Sequence, residues 1–249
     1  MYDELLAIVE QLEEVYIRDL LKLVLGNPDI SARLKKWQAG KTIHHAYESG
    51  LLEHILSCCH LGLFLSKHYK VNRSYVIAGC ILHDLCKIYE LTNGNVVDYT
   101  DEGKLVGHLV KGIEIVDRFA YKINNFPYGV KIHLKHIILA HHGEYEYGSP
   151  KIPQTKEAYL VHLVDYMDSK MNALDTVVKK DTLAGNWTGF QKTMDRIIFK
   201  GNIPSYTSYV TKPEKNENKP SEKSAPKPRT NKELKQNLGS LLKDFKVPD

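Results

Sequence analysis

The strongest chemical signal in this sequence is a histidine-aspartate pair, His83-Asp84, at the end of an apolar segment. Two such residues side by side in a buried helix are costly unless other groups pair with them. Similar polar interruptions of apolar helical patterns occur at His54, His108, His141, His142 and Asp165. Taken singly, each is better explained as a hydrogen-bonded buried side chain. Taken together, they predict a shared metal centre in the interior of a helical bundle.

Nitrogen and oxygen ligands of this kind suit one or two ions such as Mn²⁺, Fe²⁺, Zn²⁺ or Mg²⁺, with Asp84 as the natural bridging carboxylate. Two bridged ions activate a water for attack on phosphorus and hold the oxygens of a phosphoryl group. Lys87, one turn beyond His83, is expected to bind a phosphate oxygen or stabilise the departing oxyanion. A surface lysine at a helix end is an equal alternative. Asp168, one turn after Asp165, is expected to orient a ligand or to pair with a lysine.

Three further sets of residues are candidates for contact with a substrate. His44 and His45 could line the site beside the ions, but a solvated loop pair needs no function. Ser149 lies between Gly and Pro and could hold a phosphate, although a plain turn also accounts for it. Tyr145 and Tyr147 could stack on a base, and a packed loop explains them equally well.

The spacing of apolar residues predicts a mainly helical chain. The predicted helices are 3–25, a short one from 29 or 31 to 37, 51–68, 74–84, 100–121, 128–141, 155–180 and a last short one at 187–199. Residues 89–99 contain an Asn-Gly pair between apolar segments, which is the pattern of a small β-hairpin. The expected fold class is therefore all-α, with one small hairpin near 89–99 and a disordered C-terminal tail.

Composition is that of a soluble chain: 249 residues, 43% hydrophobic and 26% charged, enough for one large domain. No segment reaches about 18 consecutive apolar residues, so no transmembrane helix is expected. The N-terminus lacks the features of a secretory signal, and we expect a cytoplasmic protein. The four cysteines form no CxxC pair and are expected to be buried thiols.

Net charge and composition divide the chain into four parts. An N-terminal helical extension packed on the body (1–40) precedes the main domain (41–205), a disordered linker (206–232) and a short amphipathic helix (233–249). The formal charge of +4 is carried by the segment after residue 211, so the body does not itself indicate a polyanion partner. The C-terminal helix could bind a protein partner or fray without a role. The oligomeric state cannot be inferred.

The ordered set His54, His83-Asp84 and Asp165 resembles the H…HD…D signature of the HD-domain metal-dependent phosphohydrolases. The resemblance is closest to the HD domain of YhaM-type 3′→5′ exoribonucleases, and it covers about residues 30–180. Several stretches carry it: His44-His45-Ala46-Tyr47 with Gly50-Leu51-Leu52-Glu53-His54, Leu82-His83-Asp84-Leu85-Cys86-Lys87, Tyr99-Thr100-Asp101-Glu102-Gly103 with Gly107-His108, His141-His142-Gly143 with Gly148-Ser149-Pro150, and Asp165-Tyr166-Met167-Asp168-Ser169-Lys170.

The resemblance implies an all-helical HD fold whose metal centre holds one ion at His54, His83, Asp84 and Asp165, with a second at His108, His141 and His142. It implies Mn²⁺ as the cofactor, with Fe, Mg, Zn or Ni as alternatives. The exoribonucleases degrade RNA from its 3′ end to nucleoside monophosphates. Their N-terminal OB-type domain is not part of the resemblance. Two functions stay open. The first is a divalent-metal-dependent phosphodiesterase or phosphohydrolase that acts on the 3′ ends of single-stranded nucleic acid, as a 3′→5′ exoribonuclease does, or on nucleotides. The second is an RNA- or nucleotide-binding regulator that works through a partner without turnover.

Overall fold

A computed structural model describes residues 1–41, 45–94 and 96–205 of the chain. Within these ranges the chain is mostly helical and contains no sheet, in agreement with the predicted helical class. The α-helices are α1 (Tyr2–Glu10), α2 (Val15–Leu25), α3 (Pro28–Leu34), α4 (Gly50–Tyr69), α5 (Arg73–Leu82), α6 (Lys87–Glu90), α7 (Asp101–Leu105), α8 (Gly107–Ala120), α9 (Tyr128–Ala140) and α10 (Lys156–Lys180). None of these helices is both long enough and apolar enough to cross a bilayer.

The centre of the fold is formed by α4, α5 and α10, which pack against one another, while α9 packs on α5 and α10. Residues 76–82 of α5 are all buried, and burial of one leucine or isoleucine side chain stabilises the fold by about 1.5–3 kcal/mol. Gly79 permits close approach, because a Cβ there would lie 2.6 Å from methyl groups of both Ile137 and Val161. This packing determines where the residues after α5 are placed.

The N-terminal segment forms two helices, and the predicted single helix 3–25 is wrong. Helix α1 ends at Glu10, and α2 begins at Val15. Between them Leu12 is 1% exposed, and its carbonyl accepts a hydrogen bond from Arg18 at 3.0 Å. Because the turn itself buries a leucine, the apolar spacing continues through it and does not reveal the break.

The predicted hairpin at 89–99 is not found in the described residues. One isolated antiparallel bridge joins Leu91 to Tyr99. Tyr89 and Glu90 are the last residues of α6 instead, and their N–H groups donate to the Cys86 carbonyl at 3.0 and 3.2 Å. The backbone groups that a longer ladder would need are therefore already used within a helical turn.

The predicted helix 187–199 is also wrong. Isolated antiparallel bridges join Trp187 to Phe199 and Gln191 to Arg196, and the two aromatic rings lie 5.1 Å apart, edge to face. Aromatic and apolar residues in a segment this short fit a paired extended structure as well as a helix. Cross-strand contact between the two rings stabilises the extended pairing.

Residues 1–202 form one compact unit, and one apolar core extends from Leu5 in α1 to Val164 in α10. The first forty residues therefore share the core of the rest, while the domain boundaries stay predictions. The predicted linker (206–232) and C-terminal helix (233–249) lie outside the described residues. All four cysteines are buried free thiols, as expected.

Candidate metal centre

Five segments that are distant in the sequence meet at one place in the helical bundle. The predicted ligands are His54 in α4, His83 and Asp84 directly after α5, His108 at the start of α8, His141 and His142 directly after α9, and Asp165 in α10. Because α4, α5, α9 and α10 pack together, the polar residues that interrupt their apolar patterns are brought to a common centre. Their side chains form two clusters that could each hold a metal ion.

The first cluster consists of His54, His83, Asp84 and Asp165. His54 Nε2 lies 3.2 Å from His83 Nε2, 3.5 Å from Asp84 Oδ2 and 3.4 Å from Asp165 Oδ1. Atoms that bind one ion at about 2.0–2.2 Å are themselves separated by about 3.0–3.5 Å in octahedral or tetrahedral geometry. The observed separations therefore match those of donors around a single cation.

The second cluster consists of His108, His141 and His142. The other carboxylate oxygen of Asp84, Oδ1, lies 3.5 Å from His108 Nε2 and 3.6 Å from His141 Nε2. Asp84 thus presents one oxygen to each cluster. A carboxylate with this orientation can bridge two ions, which is the role that the sequence predicts for it.

Besides His108 Nδ1, which faces Glu90 Oε2 at 2.8 Å, three buried polar atoms of the centre have no hydrogen-bond partner among the described residues: Asp84 Oδ1, His108 Nε2 and His142 Nδ1. A buried polar atom without a partner costs about 1–3 kcal/mol. Coordination to a cation removes that cost, because each of these atoms can offer a lone pair. The unpartnered atoms and the donor spacing together show that the residues fit a divalent metal.

Backbone contacts orient two of the histidines toward the centre. His83 Nδ1 lies 3.0 Å from the Cys80 carbonyl, and His141 Nδ1 lies 2.7 Å from the Ile138 carbonyl. A carbonyl accepts only from N–H, so each Nδ1 carries the proton and each Nε2 has a free lone pair. Both histidines follow a helix, where carbonyls three residues earlier lack helical partners. The carbonyls at the C-terminal ends of helices α5 and α9 therefore set the tautomer of His83 and His141 that metal binding needs.

Asp168 lies behind His54, on the side away from the first cluster. Its Oδ2 lies 2.7 Å from His54 Nδ1 and 3.0 Å from His45 Nε2, and its Oδ1 accepts a hydrogen bond from Ser57. Burial alone would raise the pKa of Asp168, but the hydrogen bonds from His45, His54 and Ser57 hold it well below its usual range. An ionised carboxylate here favours the proton of His54 on Nδ1, which directs the lone pair of Nε2 toward the other residues of the first cluster.

Glu90 contacts His108 of the second cluster, much as Asp168 contacts His54 of the first. The sequence did not single out Glu90. Its Oε2 lies 2.8 Å from His108 Nδ1. Gly103 permits this approach, because a Cβ there would lie 2.2 Å from the Glu90 carbonyl. A glycine at position 103 was the available signal in the sequence. Such a glycine indicates that another part of the chain comes close, but it does not identify which residue does so.

Electrostatics at the centre favour an ionised Asp84 and neutral His83 and His142. His54 differs, because burial would lower its pKa but Cys58 and the contacts with Asp165, Asp168 and Asp84 raise it well above the ordinary value. Burial would raise the pKa of Asp84, yet Lys87 and His83 lower it well below its usual range; Lys87 Nζ lies 2.6 Å from Asp84 Oδ2. Burial lowers the pKa of His83 to about 4 and that of His142 to about 4. Ionised carboxylates and neutral imidazoles are the forms that bind metals.

The remaining candidates are placed differently. The His45 ring is buried and contacts Asp168, one step behind the metal cluster, while His44 lies outside the described residues. The Ser149 hydroxyl contacts the carbonyls of Leu139 at 2.9 Å and Lys151 at 2.6 Å. Its hydrogen is thus shared between backbone acceptors, and its contact with a substrate stays a prediction.

Residues of the centre differ in how much of their surface is exposed to solvent. His54 and His83 are fully buried, whereas the Asp165 side chain is 18% exposed and the Lys87 side chain is 14% exposed. His142 is half-buried. Asp165, Lys87 and His142 are therefore residues of the centre that solvent reaches in part.

The fold and the two clusters define a helical domain with a histidine- and aspartate-rich centre. Residues 51–170 match the HD domain family, and the first cluster lies entirely within this range. The resemblance to HD domains seen in the sequence is therefore confirmed over these residues.

The chain is similar to curated 3′-5′ exoribonucleases named YhaM. It is 38% identical over 192 residues to the one from Oceanobacillus iheyensis, with 72% of this chain and 60% of that protein covered. It is 37% identical over 150 residues to the one from Bacillus subtilis, with 60% of this chain and 48% of that protein covered. The chain spans about half the length of the curated relatives it matches. No solved structure matches the chain significantly.

Proposed function

We propose that this chain is a divalent-metal-dependent phosphodiesterase that removes nucleotides from the 3′ end of RNA. The observation that carries the proposal is the orientation of Asp84, with Oδ2 facing His54 and His83 and Oδ1 facing His108 and His141. Bound divalent ions would lower the pKa of a water so that it loses a proton and can attack phosphorus as hydroxide, and they would supply positive charge for the phosphoryl oxygens.

Each ligand residue has a distinct position in this proposal. His54, His83 and Asp165 hold the first ion with one oxygen of Asp84. The second ion is held by the other oxygen of Asp84 together with the second cluster: His108, His141 and His142. Neutral histidines leave the centre with net positive charge, which favours a phosphodiester over an uncharged substrate.

Lys87 contributes a positive charge beside Asp84, with its side chain 14% exposed to solvent. Burial would lower its pKa, but the neighbouring Asp84 carboxylate raises it above the ordinary value, so the ammonium is charged at neutral pH. We propose that Lys87 donates a hydrogen bond to a non-bridging phosphate oxygen or to the leaving oxygen. Its contact with Asp84 holds the ammonium beside that carboxylate before a substrate arrives.

RNA is the proposed substrate because the similar proteins are named 3′-5′ exoribonucleases. Those proteins are longer than the matched part, so the activity of this chain needs a direct test. Purified full-length protein with Mn²⁺ is expected to shorten a 5′-labelled single-stranded RNA stepwise, giving a ladder of products. Single-stranded DNA, cyclic dinucleotides and nucleoside phosphates tested in parallel define the substrate range.

Asp84→Asn is the decisive variant, since it keeps the shape of the side chain and removes its charge. We expect both the RNA ladder and hydrolysis of bis-p-nitrophenyl phosphate to fall to background. Asp117→Asn is the matched control, because Asp117 pairs with Lys135 at 2.6 Å between α8 and α9 and should leave both rates unchanged. An unchanged rate for Asp84→Asn would refute the mechanism. Tight RNA binding without turnover in the parent protein would instead favour a regulatory role.

A further inference from the structure

A turn with two tyrosines begins directly after the second cluster. Tyr145–Tyr147 form a 3₁₀ helix, three residues beyond His142. The sequence left two explanations for the tyrosines: stacking on a base or packing within a loop. In the structure Tyr145 is 64% exposed and Tyr147 is 61% exposed, and neither side chain has a hydrogen bond or ring contact among the described residues. Packing within the loop therefore does not explain them.

The turn is rigid without any contribution from the tyrosine side chains. The Tyr147 N–H donates to the Glu144 carbonyl at 3.1 Å, and the Gly148 N–H donates to the Tyr145 carbonyl at 3.0 Å. Ser149 closes the turn through its N–H, which donates to the Glu144 carbonyl at 3.3 Å, and its hydroxyl ties the turn to α9. Two large rings are thus held in solvent on a fixed backbone, which limits the entropy lost when they bind a ligand.

The position of the turn relative to the metal centre is also fixed. His162 Nδ1 donates to the His141 carbonyl at 2.8 Å, and a Cβ on Gly143 would overlap the His162 ring. Gly143 has a φ of +86°, so the chain turns there in a conformation that glycine adopts readily. Three residues span at most about 10 Å, so the Tyr145 backbone lies within that distance of the half-buried His142.

We propose that Tyr145 and Tyr147 form a stacking surface for the unpaired bases next to the cleaved phosphodiester at the 3′ end of the RNA. This inference rests on the proposed function and adds how the substrate is held. Every base has a flat face, so stacking on tyrosine tolerates any sequence but requires an unpaired strand. The exposed Glu144 and Glu146 oppose phosphate binding at this turn, so the contact is with base faces and depends little on salt.

The test is the affinity of the full-length protein for a 5′-fluorescein single-stranded oligoadenylate, measured by fluorescence anisotropy in EDTA so that cleavage is prevented. Each Tyr→Ala change at 145 or 147 should raise Kd about tenfold, and the double change more. Tyr→Phe at either position should keep the affinity, because the ring is retained. Tyr121→Ala is the matched control: Tyr121 is 92% exposed, and it lies about 20 Å along α8 from His108.

Hydrolysis of bis-p-nitrophenyl phosphate with Mn²⁺ separates this inference from the proposed function, because the reporter has no bases. The Ala variants should hydrolyse it at the parent rate. Equal RNA affinity in the parent and the double Ala variant would overturn the stacking surface while leaving the proposed function intact. A parent protein that binds RNA through these tyrosines but hydrolyses neither substrate would overturn the proposed function and support the stacking surface. The stacking surface would also be overturned if the Ala variants lost as much affinity for blunt duplex RNA as for the single-stranded oligoadenylate.

Discussion

Replacing Asp168 with Asn should weaken metal binding without displacing any metal ligand. The Asp168 carboxylate receives hydrogen bonds from His54 at 2.7 Å and His45 at 3.0 Å, and from Ser57. An Asn side chain can keep this pattern, since its carbonyl can accept from the histidines while its NH₂ group donates to the Ser57 oxygen. The change therefore removes the negative charge and preserves the shape.

The expected magnitude follows from the contact with His54. A hydrogen bond to a charged acceptor is roughly twice as strong as one to a neutral acceptor, and its loss makes His54 Nε2 a weaker base. Loss of a carboxylate partner behind a metal-binding histidine typically lowers metal affinity about 10–100-fold. We expect the Kd for Mn²⁺ at the first cluster to rise by that factor, which equals about 1.4–2.8 kcal/mol.

Isothermal titration of chelator-treated protein with Mn²⁺ measures this change directly. Circular dichroism and the thermal midpoint of the variant establish that it is folded. Asp117→Asn serves as the control, because it removes a carboxylate from a surface ion pair with Lys135 that is not part of the centre. A Kd for Asp168→Asn within about twofold of the parent value, in a folded protein, would refute the role assigned to Asp168.

Two further predictions concern the second cluster and the central packing. Glu90→Gln removes the carboxylate 2.8 Å from His108 Nδ1 and should weaken only the second Mn²⁺ in a two-step titration, about tenfold; equal effects on both steps would contradict the assignment. Gly79→Ala places a methyl group 2.6 Å from Ile137 and Val161 and should lower the free energy of unfolding by about 1–3 kcal/mol in urea titration. Gly129→Ala is the control, because nothing lies within 4 Å of the added Cβ, and it should leave the free energy of unfolding unchanged. An equal decrease in the free energy of unfolding for Gly129→Ala would show that packing is not the cause.

The local sequence pattern was sufficient to predict a site residue where a polar residue interrupts an apolar helix. His54 and Asp165 stand out in this way, and the structure places both in the first cluster. The same approach failed where burial does not follow helical spacing. Leu12 is buried in the turn between α1 and α2, and Trp187 pairs with Phe199 in an extended bridge, so both patterns suggested a helix that is not there. Tertiary contacts override local propensity in segments this short.

The amino-acid sequence by itself determined the types of ligand, the helices that carry them and the resemblance to HD domains, because these depend on residue identity and local spacing. The two-sided orientation of Asp84, the contact of Glu90 with His108 and the exposure of Tyr145 were decided only by the tertiary structure. His54 and Asp165 are more than a hundred residues apart, and no local rule sets the direction of one side chain relative to the other. Close packing at Gly79 brings α5 against α9 and α10, and that packing is what turns separate polar residues into a single centre.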